Sequence, residues 1–415
     1  MDWLFPSMDW LSQVLQDWFP WLKQKKIPEI KPFPDLPDDL MLEIFTRLPA
    51  TQVLNCQKVC RAWLRLTSTQ DFAKQHLQRA IPIVFAHYTF PPNLASQFKL
   101  NFFLLDEDAT GMQQVCPNFP MQRMSIMSHL VVVGSCNGLL VFTALPLDNY
   151  PNSQDPPINI YVCNPTTKEV TVMSKPLVDG YCCGIYFHSS TKEYRILYVT
   201  HGNEYLILTV GETGWRSVGT FACSPSKSFL PITFNKNLHW IVMLKEEEVD
   251  TASSCAKFIM VFNVETEEFN ILPHPEAQRT LICSKIVHEN MSLIEMDGGL
   301  SFWWSFRDGL LHGWVLIDYD RWDWSRTFMI NIDSIAEQYP CEAQYPMMPP
   351  YDIKLVNIQK NQLLLVWSER GVFRYSLETG IIQKIKLPRM INKFNYKKEL
   401  LSLTSYTESF ISLKT

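Results

Sequence analysis

The sequence predicts a mainly β protein that begins with a small α-helical module. Two patterns support this fold class. Before residue 80, apolar side chains recur at the three- and four-residue spacing of helices. From Ile81 onward, short runs rich in valine, isoleucine and aromatic residues alternate with polar turns, as in strands. The 415 residues are enough for one large β domain and one small accessory module.

The composition favours a folded protein whose main partner is not nucleic acid. Hydrophobic residues make up 47% of the chain, charged residues 19%, and the formal net charge is −5. The eleven cysteines contain no CxxC pair, which favours reduced thiols in a reducing compartment. The first residues lack the basic region of a signal peptide, and no stretch is long and apolar enough to span a bilayer. We therefore expect a protein of the cytoplasm and/or nucleus.

Residues 1–26 predict an amphipathic helix. Leu4, Leu11, Leu15, Trp18 and Leu22 fall on one helical face. This helix is interpreted as docking on the rest of the protein, and a membrane- or partner-binding helix is the alternative. Three prolines between residues 27 and 34 then predict an extended linker.

Residues 35–80 predict three short helices. Leu40, Ile44 and Leu48 repeat every four residues, and Pro49 ends the first helix. A second helix is predicted through "TQVLNCQKVCRAWLRLTS" and a third through "TQDFAKQHLQRA". Because so small a module has a marginal core, we expect part of its apolar surface to be covered by another protein.

Residues 81–415 predict a β-propeller of kelch type. Short polar turns between strands recur about every 45 to 60 residues, which is the period of a four-stranded blade. These turns are "DEDATG" at Asp106, "NPTTKE" at Asn164, "GETGW" at Gly211, "VETEEF" at Val264, "YDRWDW" at Tyr319 and "LETG" at Leu377. Six blades are expected. A seventh in 81–98 or 280–296 is the alternative count, and a pair of β-sandwiches is the alternative architecture.

The helical module resembles the F-box. The matching residues are "LPDDL" at Leu36–Leu40, Glu43, Ile44, Phe45, "RLP" at Arg47–Pro49, Val53–Leu54, "VCRAW" at Val59–Trp63 and Phe72. The following region resembles the plant F-box-associated domain, which has a kelch-like fold. There the matching segments are Ser135–Phe142, Val162–Val170 and Tyr194–Val199.

The resemblance implies a function in protein ubiquitination. F-box proteins are substrate-receptor subunits of SCF-type (cullin-RING) ubiquitin ligases. Their F-box binds a small acidic adaptor protein held by a cullin scaffold, and their C-terminal domain binds the target. Mapped onto this sequence, the resemblance implies adaptor contacts through Leu36, Pro37, Leu40, Ile44, Leu48, Pro49, Leu54, Val59 and Trp63.

Target-binding candidates come from the turn-like segments of the β region. Interface anchors are often Trp, Tyr or Arg, and binding residues of propellers usually lie on loops. These criteria select Trp215, Arg321, Trp322, Trp324 and Tyr345, although most aromatic residues of a propeller pack between blades. The target itself is not specified by the sequence.

The sequence does not favour catalysis within this chain. Its nine histidines form neither HxH nor HExxH, and no phosphate-binding or nucleophile motif is present. We therefore expect no catalytic residue, no metal and no cofactor. An F-box/propeller protein that acts as a binding or scaffolding protein outside a ligase is the alternative function. A propeller enzyme is a third hypothesis, which would require a cluster of polar side chains at the central channel.

Overall fold

The computed structural model describes residues 36–79, 83–88, 100–105, 112–119, 128–146, 159–225, 230–242, 259–275, 291–296, 298–305, 308–340, 353–359, 361–367, 370–386 and 401–413. The helix predicted at 1–26 and the linker predicted at 27–34 lie outside these ranges. The chain divides into two compact units, Met1–Ala80 and Ile81–Thr415.

The first unit contains four helices in its described residues. They are α1 (Asp38–Phe45), α2 (Ala50–Cys56), α3 (Arg61–Thr67) and α4 (Gln70–Arg79). The prediction of three helices is wrong because the expected second helix is interrupted at residues 57–60. There the Lys58 and Val59 amides bond carbonyls three residues back, and Cys60 is extended with φ −156° and ψ 162°. The chain then starts a new helix at Arg61.

A small apolar core holds these helices together. Its buried hydrophobic members are Met41, Phe45, Ala50, Val53, Cys56, Phe72 and Ala73. The rings of Phe45 and Trp63 meet edge to face at 5.1 Å, which joins α1 to α3. His76 on α4 is also buried, and its Nε2 lies 2.9 Å from the Leu48 carbonyl oxygen. The helical module therefore has a core of its own.

The second unit consists mainly of four-stranded antiparallel sheets, six of them in the described residues. Five sheets are each built from four consecutive strands and are numbered blades 1 to 5. Blade 1 contains β4 (Ser128–Cys136), β5 (Leu139–Pro146), β6 (Asn159–Asn164) and β7 (Glu169–Ser174). Blade 2 contains β8 (Gly180–His188), β9 (Glu193–Thr200), β10 (Glu204–Thr209) and β11 (Arg216–Thr220).

The next three blades follow the same scheme. Blade 3 contains β12 (Ile232–Phe234), β13 (Asn237–Ile241), β14 (Ile259–Asn263) and β15 (Phe269–Leu272). Blade 4 contains β16 (Met291–Met296), β17 (Gly299–Ser305), β18 (Leu310–Asp318) and β19 (Asp323–Asn331), and α5 (Ile332–Gln338) follows it. Blade 5 contains β20 (Ile353–Gln359), β21 (Gln362–Trp367), β22 (Gly371–Ser376) and β23 (Ile382–Lys384).

The remaining sheet joins the two ends of the β region. It contains β1 (Ile83–Tyr88), β2 (Leu100–Leu105), β3 (Met112–Phe119) and the last strand, β24 (Leu401–Tyr406). β24 pairs with β1, from Ile83 opposite Tyr406 to Tyr88 opposite Leu401. We call this sheet the composite blade, because strands from both ends of the β region form it.

The sheets pack side by side into a closed ring. Neighbouring blades contact each other through their first strands: β4 contacts β8, β12 contacts β16, and β16 contacts β20. The strand β24 of the composite blade contacts both β20 and β4. Blades 2 and 3 are joined where Trp240 Nε1 donates to the Cys183 carbonyl oxygen at 2.8 Å. The alternative of two β-sandwiches is therefore wrong.

The alternative prediction of a seventh blade is also wrong for the described residues. Within 81–98 the described strand is β1 of the composite blade. Within 280–296 it is β16, the first strand of blade 4. The four-strand rhythm that predicted a propeller is confirmed in every sheet, because each has four strands joined in antiparallel order.

A recurring turn joins the third and fourth strands of several blades. In blades 1, 3 and 4 the turn begins with Asn164, Asn263 and Asp318, whose side-chain oxygens accept backbone N–H groups two and three residues ahead. Its last residue has a left-handed backbone, as in Lys168 (φ 61°) and Trp322 (φ 55°). Because the geometry repeats, this turn gives a similar link between the third and fourth strands in these three blades.

Candidate functional site

All nine predicted adaptor-binding residues keep part of their surface accessible to solvent. Leu40 and Val59 are 52% and 49% exposed, and Pro37 is also exposed. The other six keep part of their surface accessible: Leu36, Ile44, Leu48, Pro49, Leu54 and Trp63. None of the nine is buried. Since exposed apolar side chains cost free energy in water, this surface suits the binding of another protein.

Trp63 has a second role within the module. Its ring packs against the fully buried ring of Phe45, so the indole contributes to the core as well as to the surface. Leu64, which the sequence interpretation omitted, is 45% exposed on α3. In the sequence, Leu64 could have been noticed as an apolar residue between Arg61 and Arg65, two charged residues of the same helix. Leu64 therefore extends the apolar surface to the outer face of α3.

An ion-pair network fixes the end of α1 against α4. The Glu43 carboxylate pairs with Arg47, two residues beyond the end of α1, and with Arg79 Nη1 at 2.8 Å. Arg79 Nη1 also donates to Thr46 Oγ1 at 2.7 Å. The hydrogen bond from Arg79, followed by the charge of Arg47, lowers the pKa of Glu43. Glu43 thus acts in the structure as an orienting residue between two helices.

The two rims of the propeller ring differ in the length of their connections. Within each antiparallel blade, the turn from the first to the second strand and the turn from the third to the fourth lie at the same end. On this short-turn rim, the connections of blades 1 to 5 are only two to six residues long: 137–138, 165–168, 189–192, 210–215, 235–236, 264–268, 297–298, 319–322, 360–361 and 377–381.

The opposite rim carries the second-to-third and blade-to-blade connections. We call it the long-loop rim, because six of its connections have more than ten residues between the strands that they join. They are 147–158, 221–231, 242–258, 273–290, 332–352 and 385–400. Long loops on a rigid scaffold are the usual location of binding residues in such folds.

Four of the five predicted target-binding residues lie at the short-turn rim. Trp215 precedes β11, Arg321 and Trp322 lie in the 319–322 turn, and Trp324 is near the start of β19. Tyr345 lies outside the described residues. The four described candidates divide between two blades, with Trp215 in blade 2 and the other three in blade 4.

Two of the tryptophans join neighbouring blades. Trp322 Nε1 of blade 4 donates to the Pro273 carbonyl oxygen of blade 3 at 2.7 Å, and its ring stacks on His239. Trp215 Nε1 of blade 2 donates to the Ser174 carbonyl oxygen of blade 1 at 3.1 Å. These indoles are equivalent contacts from the turn of one blade to the preceding blade.

Trp324 and Arg321, the other two candidates near this turn, differ in their exposure. Trp324 packs edge to face against Trp322, with ring centroids 5.3 Å apart, and also lies against Phe302. The Arg321 side chain is 85% exposed and lies 3.7 Å from Asp318 in an ion pair. Of the described candidates, Arg321 is therefore the one whose side chain extends into solvent.

Charged groups join blades 2 and 3 at the short-turn rim. Glu267 accepts hydrogen bonds from Tyr186 Oη and Arg195 Nη1, both at 2.7 Å, and it also pairs with Arg216. Burial opposes ionisation of this carboxyl, yet the bonds from Arg216, Tyr186 and Arg195 lower its pKa. Each charge has its counter-charge, so the cluster stabilises the ring and offers no free charge to a ligand.

The Glu265 carboxylate makes a second contact between these blades. It accepts both the backbone N–H and the hydroxyl of Ser189 and of Ser190 on the 189–192 turn. These four donors, first the Ser189 hydroxyl, lower the pKa of Glu265 to about 2. The short-turn rim is thus occupied by contacts between blades.

The described residues give no indication of a metal or membrane-spanning site. Among them, no three His, Cys, Asp or Glu side chains lie close enough together to hold a metal ion. No helix in the described ranges has the length and hydropathy needed to cross a bilayer. His239, for example, is buried, and its Nε2 is hydrogen-bonded to Tyr319 Oη at 2.9 Å.

The described part of the chain combines a helical module that has exposed apolar side chains with a propeller ring. Residues 33–79 match the F-box-like family, and residues 90–398 match the F-box associated beta propeller domain. The chain belongs to the F-box proteins that carry a C-terminal F-box associated β-propeller domain. The resemblance inferred from the motifs is therefore confirmed, and it extends well beyond residue 200.

The similar proteins include several F-box proteins of Arabidopsis thaliana. F-box protein At3g07870 is 26% identical over 71% of this chain and 72% of its own length. Putative F-box protein At3g52320 is 23% identical over 92% of this chain and 95% of its own length. F-box protein CPR1 is 20% identical, with 80% of this chain and 81% of that protein covered.

Proposed function

We propose that this protein is the substrate-receptor subunit of an SCF-type ubiquitin ligase. The helical module binds the small acidic adaptor, and through it a cullin scaffold. The propeller binds the protein that is to be ubiquitinated. The contribution of the chain is to hold the target close to the site of transfer, which raises its effective concentration and needs no catalytic group in the chain itself. We place the protein in the cytoplasm and/or nucleus.

One observation carries the adaptor part of this proposal. The module has its own buried core, yet all nine residues implied by the F-box resemblance, including Trp63 at the edge of that core, keep part of their surface exposed. Leu40 and Val59 expose about half of their surface although both are large and apolar. Burying such side chains in a complex contributes about 25 cal/mol for each Å² removed from water. An adaptor that covers this surface would therefore gain most of its binding energy here.

The target part of the proposal concerns the long-loop rim. The short-turn rim has connections of few residues, and its aromatic and charged side chains already join neighbouring blades. The long-loop rim has more residues between its strands for recognition, and Tyr345 falls in the sequence between α5 and β20. We propose that the target binds at the long-loop rim. Trp215, Trp322 and Trp324 then act as packing residues and not as target anchors.

The decisive experiment compares adaptor binding by the intact protein and by a surface variant. Leu40→Asp/Val59→Asp places two charges in the apolar surface, outside the module core. The matched control is Ile317→Asp, which changes an apolar side chain that is 68% exposed on blade 4. We expect purified adaptor to bind wild type and the control equally, and to bind the double variant at least 100-fold more weakly.

The same experiment distinguishes the alternative function. Circular dichroism must first show that every variant keeps its helical and β content. If folded wild type does not bind the adaptor, the ligase proposal is wrong. The propeller then has to be studied as a binding or scaffolding module outside a ligase.

A further inference from the structure

The C-terminal segment lies across two turns of blade 1. After β24 ends at Tyr406, the chain leaves the composite blade and runs through Ser409–Leu413. There it contacts the 137–138 turn and the 165–168 turn with the strands beside them. These two turns belong to the segments that carry the family resemblance. The contact therefore assigns them a role that the motifs alone do not show.

Asn164 binds the backbone of this segment with one end of its side-chain amide. Its Nδ2 donates to the carbonyl oxygens of Ser409 at 3.0 Å and of Ile411 at 2.8 Å. Its Oδ1 accepts from the Thr166 N–H at 2.9 Å, within the turn. Because an amide has both donors and an acceptor, the same residue shapes the turn and holds the segment.

Glu169 binds the end of the segment. Its carboxylate accepts the Leu413 N–H at 2.8 Å and the Ser412 hydroxyl at 3.1 Å. Glu169 begins β7, five residues after Asn164 at the end of β6. The two side chains thus bind backbone groups of Ser409, Ile411 and Leu413 along one peptide segment, which is how peptide-binding surfaces commonly gain affinity.

The shape of the contact selects particular side chains. Ser409 is fully buried and lies against Gly138, where an added Cβ would overlap the Ser409 side chain. Gly138 also has a φ of +79°, which favours glycine. Ile411 and Leu413 pack against the apolar cluster shared by blades 1 and 2. The contact therefore fits a small hydroxyl residue followed by two aliphatic residues at alternate positions.

We propose that these residues of blade 1 form a peptide-binding groove whose occupant is this chain's own C-terminal segment, Ser409–Leu413. The groove, formed by Gly138, Asn164 and Glu169, binds an extended peptide through its backbone and through the pattern Ser-x-Ile-x-Leu. The segment is detachable, because it follows β24 and contributes no strand pairing to the ring. This proposal does not depend on the function in a ligase.

The ring itself remains closed when the segment leaves the groove. Tyr406 and Thr166 share a hydrogen bond of 2.9 Å between their hydroxyl groups, and β24 contacts β4. Both contacts precede Ser409 in the chain. A protein that ends at Glu408 therefore retains the contact between the composite blade and blade 1, while its groove is left open to a peptide in solution.

The first test measures amide hydrogen exchange in the intact protein. Asn164→Asp keeps the Oδ1 acceptor for the turn, but removes the donor and places a negative charge beside two carbonyl oxygens. Asn263→Asp is the matched control, because Asn263 caps the equivalent turn of blade 3. We expect Asn164→Asp to raise exchange at residues 409–413 at least 10-fold, and Asn263→Asp to leave that segment unchanged.

The second test supplies the segment in trans. The protein ending at Glu408 is mixed with a fluorescent peptide of residues 407–415, and binding is followed by fluorescence anisotropy. We expect saturable binding that is at least 10-fold weaker when Asn164→Asp is added. The intact protein, whose groove is occupied, should bind at least 10-fold more weakly than the shortened one. A peptide of the same composition in scrambled order should not bind.

Two results would overturn the proposal. One is a folded, shortened protein that does not bind the peptide at millimolar concentration. The other is exchange at residues 409–413 of wild type as fast as in the free peptide. If the shortened protein does not fold, the exchange experiment on the intact chain still decides, since it needs no truncation.

Discussion

The indole of Trp322 joins blade 4 to blade 3 through a 2.7 Å hydrogen bond to the carbonyl oxygen of Pro273. The same ring stacks on His239, with the two ring planes 13° apart. His239 is fully buried in blade 3. A residue that looks like an exposed anchor in the sequence is therefore a contact within the ring.

We expect Trp322→Ala to lower the free energy of unfolding of the propeller by about 2 to 3 kcal/mol, because it removes a hydrogen bond and a large packed ring. Arg321→Ala is the control, since its side chain is 85% exposed and the change should stay within about 0.5 kcal/mol. Urea unfolding of the full chain measures both. A stable Trp322→Ala protein that fails to bind its target would instead make Trp322 a target anchor.

In the helical module, substitution of a core residue should reduce stability more than substitution of a surface residue. Phe45→Ala removes a ring that is 1% exposed and should destabilise the module by about 3 kcal/mol. Leu40→Ala, on the same helix, removes a side chain that is 52% exposed and should cost less than about 1 kcal/mol. Thermal unfolding followed at a helical wavelength tests the pair. Equal losses would show that the proposed surface is part of the core.

The Glu267 cluster should depend on its negative charge. Glu267→Gln removes the carboxylate that pairs with Arg216 and one of the two that pair with Arg195, the other being Glu193. Arg195 and Glu267 are nearly buried, at 11% and 13% exposed. We expect a loss of about 2 kcal/mol of folding stability, with Tyr186 Oη still able to bond the amide. Glu268→Gln is the control, because Glu268 is the exposed neighbour on the same strand connection. Denaturant unfolding, at low salt and again at high salt, should show that Glu267→Gln is less stable than Glu268→Gln.

Local patterns were sufficient to predict the strand rhythm. Leu40 and Val59, indicated by spacing and motif, are exposed, and their role in adaptor binding stays a prediction. The break at residues 57–60 was missed, since helix propensity does not show that Cys60 becomes extended. Residues 36–79 therefore contain four helices where the apolar spacing indicated three.

Contacts between distant residues explain what the sequence could not show. The Trp322 bond links residues 49 positions apart, and the Asn164 bond to Ser409 links residues 245 positions apart. A tryptophan in a turn has the same appearance in a sequence whether it binds a target or packs on the next blade. The long-loop rim was likewise visible only once the strands had been assigned to blades.

Protonation of His239 should make the propeller less stable as the pH falls. Burial lowers the pKa of His239 from 6.5 to about 4, with its bond to the Ile232 carbonyl oxygen opposing this shift. Between pH 6.5 and 4 the unfolded chain takes up a proton that the folded chain does not. Stability is therefore complete above pH 6.5 and falls toward pH 4, by at most about 1.4 kcal/mol per pH unit from this group.

Urea unfolding between pH 7.5 and 5 measures this slope, above the range in which most carboxyl groups titrate. His239→Gln should reduce the slope by up to one proton, although it also lowers stability at pH 7. An unchanged slope in His239→Gln would show that other groups produce the pH dependence.

A left-handed position in the turn between β8 and β9 offers a stabilising substitution. Lys192 has a φ of 61° in the 189–192 turn, and its side chain is exposed. This conformation costs an ordinary residue roughly 1 kcal/mol or more, and glycine adopts it without that strain. Lys192→Gly should therefore raise the free energy of unfolding by about 0.5 kcal/mol, after the larger entropy of glycine in the unfolded chain is subtracted. Lys192→Ala keeps the positive φ and removes the same charge, so it should give no gain. If the alanine variant is as stable as the glycine variant, the lost lysine charge and not the backbone explains the effect.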